Sequence, residues 1–568
     1  MRTSICLYLL LCCATVCADT ARTLERELAR VAGSRDAPGV VLVVATQGEV
    51  AFLGAAGHAD REARQPLQTT TPMPLGELTR AFTAALALQL AQEGAVDLDA
   101  SLDAFIDADE VDFDPAAISL RQLLTHQAGL PSTRLRGMYR EANAPPSADA
   151  LLSARDFYFA LPPGELVSTS SLGYVLAARV LQRAAGQDFE TLLRSRLLDP
   201  LQMTSTGFVD ALPLVPTHQR GRAQPGLLAR DLPAVGLAAS AEDLGRWLAA
   251  LTAPQSPLAG RDELFRAQNR DSPLSFDEDM GLGFAVTDSI VEGTGRIAFA
   301  MSGYPGYRAQ LRIAVDHGVA VLAMSNGRDA YGPLGALVDK AFDAHLARSG
   351  QTVEAARRSR ERIPDRVAWP AQARRIEPAP RYATPFGMIT TTPVAEGFNA
   401  EVFGRGFSVR PREDGWMDVR YRLFGMIPLA FSVLNRVLVA PAEVDGRHVL
   451  LAWFRGRTFL LGSSFEAPPL TSDAAALSGN WVLESPDALV EQLEIRSAHI
   501  AIEDGLLTLG YELPFMITLR PRLAVGTGTD GHLRLLGIGP NLGERILVGR
   551  DEAGDWLEYS GYRLRRAP

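Results

Sequence analysis

A chain of 568 residues exceeds what one hydrophobic core organises, so one large unit with smaller ones beside it is expected. With 47% hydrophobic and 21% charged residues, the composition is globular and excludes collagen-like, disordered and coiled-coil classes. The formal charge of −10 comes from dispersed acids with no basic stripe, which argues against nucleic acid as a partner.

Residues 1–18 carry Arg2, an apolar run from Ile5 to Val16, and Val16-Cys17-Ala18 as a small-residue cleavage site, the pattern of a secretory signal. The run is too short to span a bilayer. All four cysteines (Cys6, Cys12, Cys13 and Cys17) lie within it, so cleavage after Ala18 leaves no disulfide, thiolate nucleophile or cysteine metal site. Lipid anchoring would need cleavage before Cys17, and Val16 is a poor residue at the preceding position. No later stretch approaches about 18 uninterrupted apolar residues, so no transmembrane helix is expected once the signal is removed. The mature chain is expected to be periplasmic or secreted.

Residues 21–32 have helical apolar spacing, and Gly39–Thr46 is a β-branched run followed by a Gln47-Gly48 turn, which predicts a helix and then a hairpin. Glu77 to Gln92 is rich in alanine and leucine, apolar around most of its circumference and stopped by Gly94; such a helix belongs inside a domain. Further helices are expected near 119–126, 171–197, 241–252 and 332–347, with a strand pair at 308–315 and 319–325. Helices clustered between strands imply an α+β layer architecture over residues 19–349. Residues 350–380 are arginine-dense and then proline-rich, the composition of an exposed linker.

Beyond residue 380 the period changes from helical to alternating. Met417, Val419, Tyr421 and Leu423 are separated by Asp418, Arg420 and Arg422, and the pattern returns ninety residues on in Leu507, Leu509, Tyr511 and Leu513. Glu413-Asp414-Gly415 matches Glu503-Asp504-Gly505, and Met426-Ile427 matches Met516-Ile517. These matches indicate a duplicated all-β region, 381–470 and 471–568, each copy the size of a small lipocalin-like barrel or half of a larger one.

Five phrases in the first half carry a resemblance. Leu123-Leu124-Thr125-His126-Gln127-Ala128-Gly129-Leu130-Pro131, Leu161-Pro162-Pro163-Gly164, Ser240-Ala241-Glu242-Asp243-Leu244, Gly281-Leu282-Gly283 and Pro305-Gly306-Tyr307 stand in the order and at the spacing of the β-lactamase-related serine hydrolases. That group contains class C β-lactamases, D-Ala-D-Ala carboxypeptidases, D-aminopeptidases and related esterases. The resemblance covers about residues 36–345. It implies a β-lactamase/transpeptidase-like α+β domain, an antiparallel sheet flanked by helices, with the duplicated β region following.

In that family a Ser-x-x-Lys motif on the first turn of the central helix supplies the nucleophile and its base. Here Glu77 stands at the serine position and Arg80 at the lysine position. Arginine stays protonated and cannot serve as the base. Lys340 is the only lysine in the chain, so no second Ser-x-x-Lys exists. At the family's Tyr-x-Asn motif Thr169 replaces the tyrosine and Ser171 the asparagine. The Lys-x-Gly or His-x-Gly motif aligns with Ala300-Met301-Ser302 or, one residue later, with Met301-Ser302-Gly303, and neither supplies the cation. Loss of one member of a cooperative catalytic unit costs several powers of ten in rate, and every member is replaced.

The same residues have structural explanations. Glu77 as a glycosidase-type nucleophile would need a second carboxylate at a set distance; an acid at a helix N-terminus paired with Arg80 at i+3 is the simpler expectation. Ser170, Ser171 and Ser302 lie in no Gly-x-Ser-x-Gly elbow. His126 belongs to the scaffold phrase, and the other histidines show no His-Glu-x-x-His spacing, so no metal or other cofactor is expected. Asp107–Asp114 lacks the spacing and glycine of a calcium loop. The expectation is a pseudoenzyme whose groove, around Glu77, Arg80, Ser170, Ser302 and Gly303, binds a peptide or cell-wall fragment or a protein partner. Two rivals are an active hydrolase using substituted residues and a structural protein that binds through its β region.

Overall fold

The computed structural model describes residues 19–567 apart from 143–150, 220–221, 225, 289–294, 350–362, 424–426, 429–435, 494–496, 512, 515–517, 520 and 529. The signal-like residues 1–18 and the arginine-dense start of the expected linker therefore lie outside the described residues. The chain forms two units. The first takes the described residues up to Asp97, Leu181–Arg266 and those from Gly281 to 349; the second takes Leu98–Val180, Ala267–Met280 and those from 363 onward.

The first unit is built on a seven-stranded antiparallel sheet in the order Ala285–Thr287, Ile297–Tyr304, Tyr307–Ala314, Val319–Ser325, Gly39–Thr46, Glu49–Asp60 and Gln65–Pro66. The unbroken apolar run of Gly39–Thr46 follows from burial on both faces. Val40, Leu42 and Val44 pack with Leu24 and Leu28 of the 19–32 helix and with Leu334, Val338 and Phe342 of the helix Tyr331–Leu346. On the opposite face Val43 meets Gly245 of the helix Ala241–Thr252. The helix Thr79–Gln92 is preceded by a 3-10 turn, Gly76–Leu78, so Glu77 sits just before the α-helix rather than in its first turn. Phe82 and Trp247, both fully buried, stack with ring centroids 4.3 Å apart. Each such side chain contributes about 2–3 kcal/mol of apolar burial.

In the second unit, Ser119 caps the helix Leu120–Leu124 through a capping box with Gln122. The C-terminal region forms two closed eight-stranded barrels. The strands of the first run Arg381–Thr384, Gly387–Pro393, Phe398–Val402, Arg405–Pro411, Met417–Leu423, Val437–Val444, Arg447–Phe454 and Arg457–Ser464, and the last pairs with the first. The second runs from Gly479–Leu483 to Tyr562–Arg566, which pair in the same way. Tyr382, Ile389, Phe398, Val409 and Val439 fill the first interior, and Trp481, Leu507, Leu509, Val525 and Leu557 the second. Val437–Val444 is apolar at successive positions because its other side, through Leu438 and Ala440, packs on Leu161, Leu166 and Leu274.

Two features differ from the sequence expectation. Residues 363–380 are mostly exposed, as expected of a linker, but they are fastened along their length: Val367 is buried, its N–H donates to Asp414 at 3.0 Å, Trp369 packs on Trp416 at 5.6 Å, and Arg374–Arg375 pairs with the strand Val437–Val444. The prolines stiffen a strap that lies on the first barrel. The ninety-residue match, for its part, aligns hairpins rather than whole barrels. Met417–Leu423 is the fifth strand of its barrel and Leu506–Tyr511 the third of the other. Each closes a hairpin whose turn holds Asp414-Gly415 or Asp504-Gly505, with Gly415 at φ +92° and Gly505 at φ +75°. Met426, Met516 and Ile517 lie outside the described residues.

Candidate functional site

The site begins at an unpaired strand edge. Ala285–Thr287 pairs with Ile297–Tyr304 only as far as Phe299, so among the described residues the outer backbone groups from Ala300 onward have no strand neighbour. The turn Gly76–Leu78 fits against this edge because Gly76, at φ +57°, carries no side chain; a Cβ there would stand 2.4 Å from the Gly303 carbonyl oxygen. The Glu77 Oε2 accepts a hydrogen bond from the Gly303 N–H at 2.6 Å and lies 3.2 Å from the Ser302 hydroxyl. Gly283, at φ +76°, lets the Gly281-Leu282-Gly283 phrase approach the start of the neighbouring helix, where a Cβ would stand 2.7 Å from Ala81 Cα.

Ser302 is 1% exposed, and its hydroxyl accepts from the Leu78 N–H at 3.1 Å. Its one hydrogen is shared between the Leu75 carbonyl and the Glu77 carboxylate. Such a hydroxyl fastens turn to strand. Among the described residues Glu77 makes no ion pair with Arg80, contrary to expectation; the strand edge competes for the carboxylate and holds it. Arg80 is half-buried one turn further on. Ala300 and Met301, the two residues available at the cation position, present a methyl group and an exposed thioether.

The second motif lies in the second unit and is structural there. Ser170 caps the helix Ser171–Ala185: its hydroxyl accepts from the Gly173 N–H at 3.0 Å and donates to the Pro131 carbonyl at 2.6 Å. Its own N–H donates to His126 Nδ1 at 3.1 Å. His126, buried at φ +60°, is thereby a scaffold residue. The Ser171 N–H donates to the Ser132 carbonyl at 2.7 Å, and Thr169 is exposed. The phrases ending in Gly129 and beginning at Leu161 are packed together, since a Cβ on Gly129 would stand 2.1 Å from the Leu161 carbonyl oxygen.

Two residues near Glu77 escaped the sequence reading. Arg308 stacks over the Tyr331 ring at 4.8 Å, and a Cβ on Gly303 would meet the Tyr331 hydroxyl at 2.8 Å and the Arg308 guanidinium at 3.5 Å. Burial pushes the Arg308 guanidinium below its usual value, while Tyr331 and Glu77 act the other way. Burial raises the Tyr331 phenol; Arg308 opposes this and Glu77 reinforces it. The one signal for Arg308 is its place directly after Pro305-Gly306-Tyr307, on a strand that also carries Gln310 and Arg312. Nothing in the sequence marks Tyr331. Carboxylate, guanidinium and phenol together can bind a polar ligand. Among the described residues no group of three or more His, Cys, Asp or Glu side chains could hold a metal ion, and no helix is long and apolar enough to cross a membrane.

The family model described as Beta-lactamase matches residues 21–344. Esterase EstB from Burkholderia gladioli is 29% identical over 225 residues, which are 37% of this chain and 57% of EstB. Protein flp from Staphylococcus aureus (strain N315) is 23% identical over 230 residues, 37% of this chain and 45% of flp. The chain thus spans about half the length of the curated relatives it matches. The crystal structure of SurE shares the fold, with a TM-score of 0.55 at 22% identity over 78% of this chain and 98% of SurE.

Proposed function

This chain belongs to the β-lactamase family, and from that premise we propose that it is an exported member that binds without turnover, its degenerate site recognising a cell-wall-type peptide or a protein partner. The observation that carries this reading is the hydrogen bond from the Gly303 N–H to Glu77 at 2.6 Å. Acyl transfer needs a backbone N–H aimed at the developing oxyanion beside the nucleophile. The N–H that faces position 77 is taken by the carboxylate at that position, whose negative charge also repels an oxyanion. Arg80 cannot accept a proton. Lys340, the only lysine, pairs with Glu27 at 2.5 Å.

The test is turnover by the purified full chain. Ester, β-lactam and D-amino-acid peptide substrates should be hydrolysed no faster than in buffer, and a fluorescent penicillin should leave no covalent label after denaturation. EstB is named an esterase, so ester cleavage is the activity to exclude with most care. Hydrolysis that disappears on substitution of Glu77 or Ser302 overturns the proposal in favour of an active enzyme with replaced residues.

A further inference from the structure

A hairpin in the first unit ties the ends of several strands together. Its arms are Thr217–Gln219 and Arg222–Gln224. On one side it rests on the Pro305-Gly306-Tyr307 turn. Gly306 has φ +81° and a Cβ there would stand 2.3 Å from Thr217 Cβ, while the Tyr307 hydroxyl donates to the Val215 carbonyl just before the hairpin. Its middle runs beside Asn326-Gly327-Arg328, at the end of the strand Val319–Ser325. There the His218 N–H donates to the Asn326 carbonyl at 2.9 Å, and the His218 carbonyl accepts from the Arg328 N–H at 3.1 Å. The buried Asn326 amide donates to the Pro216 carbonyl at 3.3 Å. On the other side the Ala223 N–H donates to Glu62 at 3.3 Å, in the turn that follows the strand Glu49–Asp60.

The His218 side chain makes a second attachment to that turn. It is 3% exposed, and its Nε2 accepts from the Arg61 N–H at 3.3 Å. A ring nitrogen that accepts carries no proton, so this bond exists only for the neutral imidazole protonated at Nδ1. Protonation of Nε2 sets one donor against another, and the buried Nδ1 makes no hydrogen bond to offset the loss. Charged residues stand on each element packed around the ring: Asp60, Arg61 and Glu62 on the turn, Arg222 on the other arm of the hairpin, and Arg328 on the segment after Ser325. His58, on the same strand as Asp60, meets Asn326 through its backbone carbonyl. Burial and the Arg61 charge push the His218 imidazole below its usual value, while Asp60, the Asn326 carbonyl and Glu62 pull it up.

We propose that His218 is an acid-sensitive fastener, whose protonation releases the hairpin from the Asp60-Arg61-Glu62 turn and loosens its seat on Pro305-Gly306-Tyr307. That seat ends the strand that carries Ser302 and Gly303, so the hairpin's hold reaches the strand end on which Glu77 is latched. The sign follows from burial. The fold disfavours the imidazolium more than the unfolded chain does, so the fastening is complete above the ordinary value of 6.5 and is lost as pH falls below it, toward the lowered folded value. The assignment does not depend on whether the Glu77 site binds or turns over its ligand.

Amide hydrogen exchange on the full chain, read by mass spectrometry and corrected for the intrinsic effect of pH, tests the proposal. Between about pH 7.5 and about pH 5, peptides covering Thr217–Gln219 and Tyr304–Tyr307 should lose protection about fivefold or more, the loss expected for one buried hydrogen bond. The helix Ala241–Thr252 of the same unit should keep its protection over that range. His218→Gln offers a side-chain oxygen that accepts without titrating, so its hairpin peptides should exchange alike at both pH values. Should that variant not fold, the parent alone decides, through the contrast between the hairpin peptides and the helix. Unchanged protection of the hairpin at the lower pH, an equal loss in the helix Ala241–Thr252, or a pH response that persists in His218→Gln overturns the proposal.

Discussion

The Glu77 carboxylate and the Gly303 amide, 226 residues apart in the chain, meet at 2.6 Å. The acid at the family's nucleophile position therefore acts as a latch between the turn before the buried helix and the free edge of the sheet. Glu77→Ala should lower stability by about 1–2 kcal/mol, the value for a charge-assisted hydrogen bond partly open to water. Glu77→Gln keeps an acceptor in place and should cost less than half as much. Urea denaturation followed by tryptophan fluorescence measures both, and equal midpoints for the two variants would remove the latch.

Restoring the first motif alone should not restore catalysis. With Glu77→Ser and Arg80→Lys combined, Thr169, Ser171 and Met301 still supply neither the phenol, the amide nor the cation that complete the unit. Rates on an activated ester should stay within about tenfold of the parent, because members of a catalytic unit act together. A covalent penicillin adduct in the double variant would show that the second and third motifs matter less than supposed.

Glu544 gives a pH dependence with a defined sign. It is buried at 5% exposure, and burial raises its carboxyl above the usual value while the Ser132 N–H and hydroxyl, at 3.1 and 2.9 Å on Oε1, pull it down. The folded chain thus keeps a proton that the unfolded chain has released. Stability falls as pH rises from the unfolded value near 4.5 through the raised folded one. Glu544→Gln removes this titration, so denaturation midpoints measured across pH 4.5 to 8 should decline less for the variant than for the parent. Parallel curves would mean that the carboxyl is ionised in the fold.

Trp416 tests the strap over the first barrel. It is fully buried, its Nε1 donates to the Ala368 carbonyl at 3.3 Å, and it packs with Val367. Trp416→Ala should cost about 3–5 kcal/mol and should also open residues 363–373 to proteolysis. A destabilised variant that keeps this segment protected would separate the strap from the barrel.

The sequence by itself determined the elements whose patterns are local. The run Gly39–Thr46, the buried helix up to Gln92, the helix Ala241–Thr252 and the strand Val319–Ser325 appear where the apolar spacing puts them. The presence of Glu77, Arg80, Thr169 and Ser171 where the family motifs align was legible too, because residue identity is read directly from the sequence. The tertiary structure alone decided what the substituted residues do. Glu77 turns to the Gly303 N–H rather than to Arg80 because an unpaired strand edge, created by a neighbouring strand that stops at Phe299, offers a donor no helical spacing could reveal. Arg308 and Tyr331 join the site from a strand and a helix that only the sheet brings together. The ninety-residue repeat shows the same limit: an Asp-Gly turn and an alternating strand are local signals, but ring position depends on how many strands precede the hairpin. That count is set by long-range pairing, which leaves no mark in the hairpin itself.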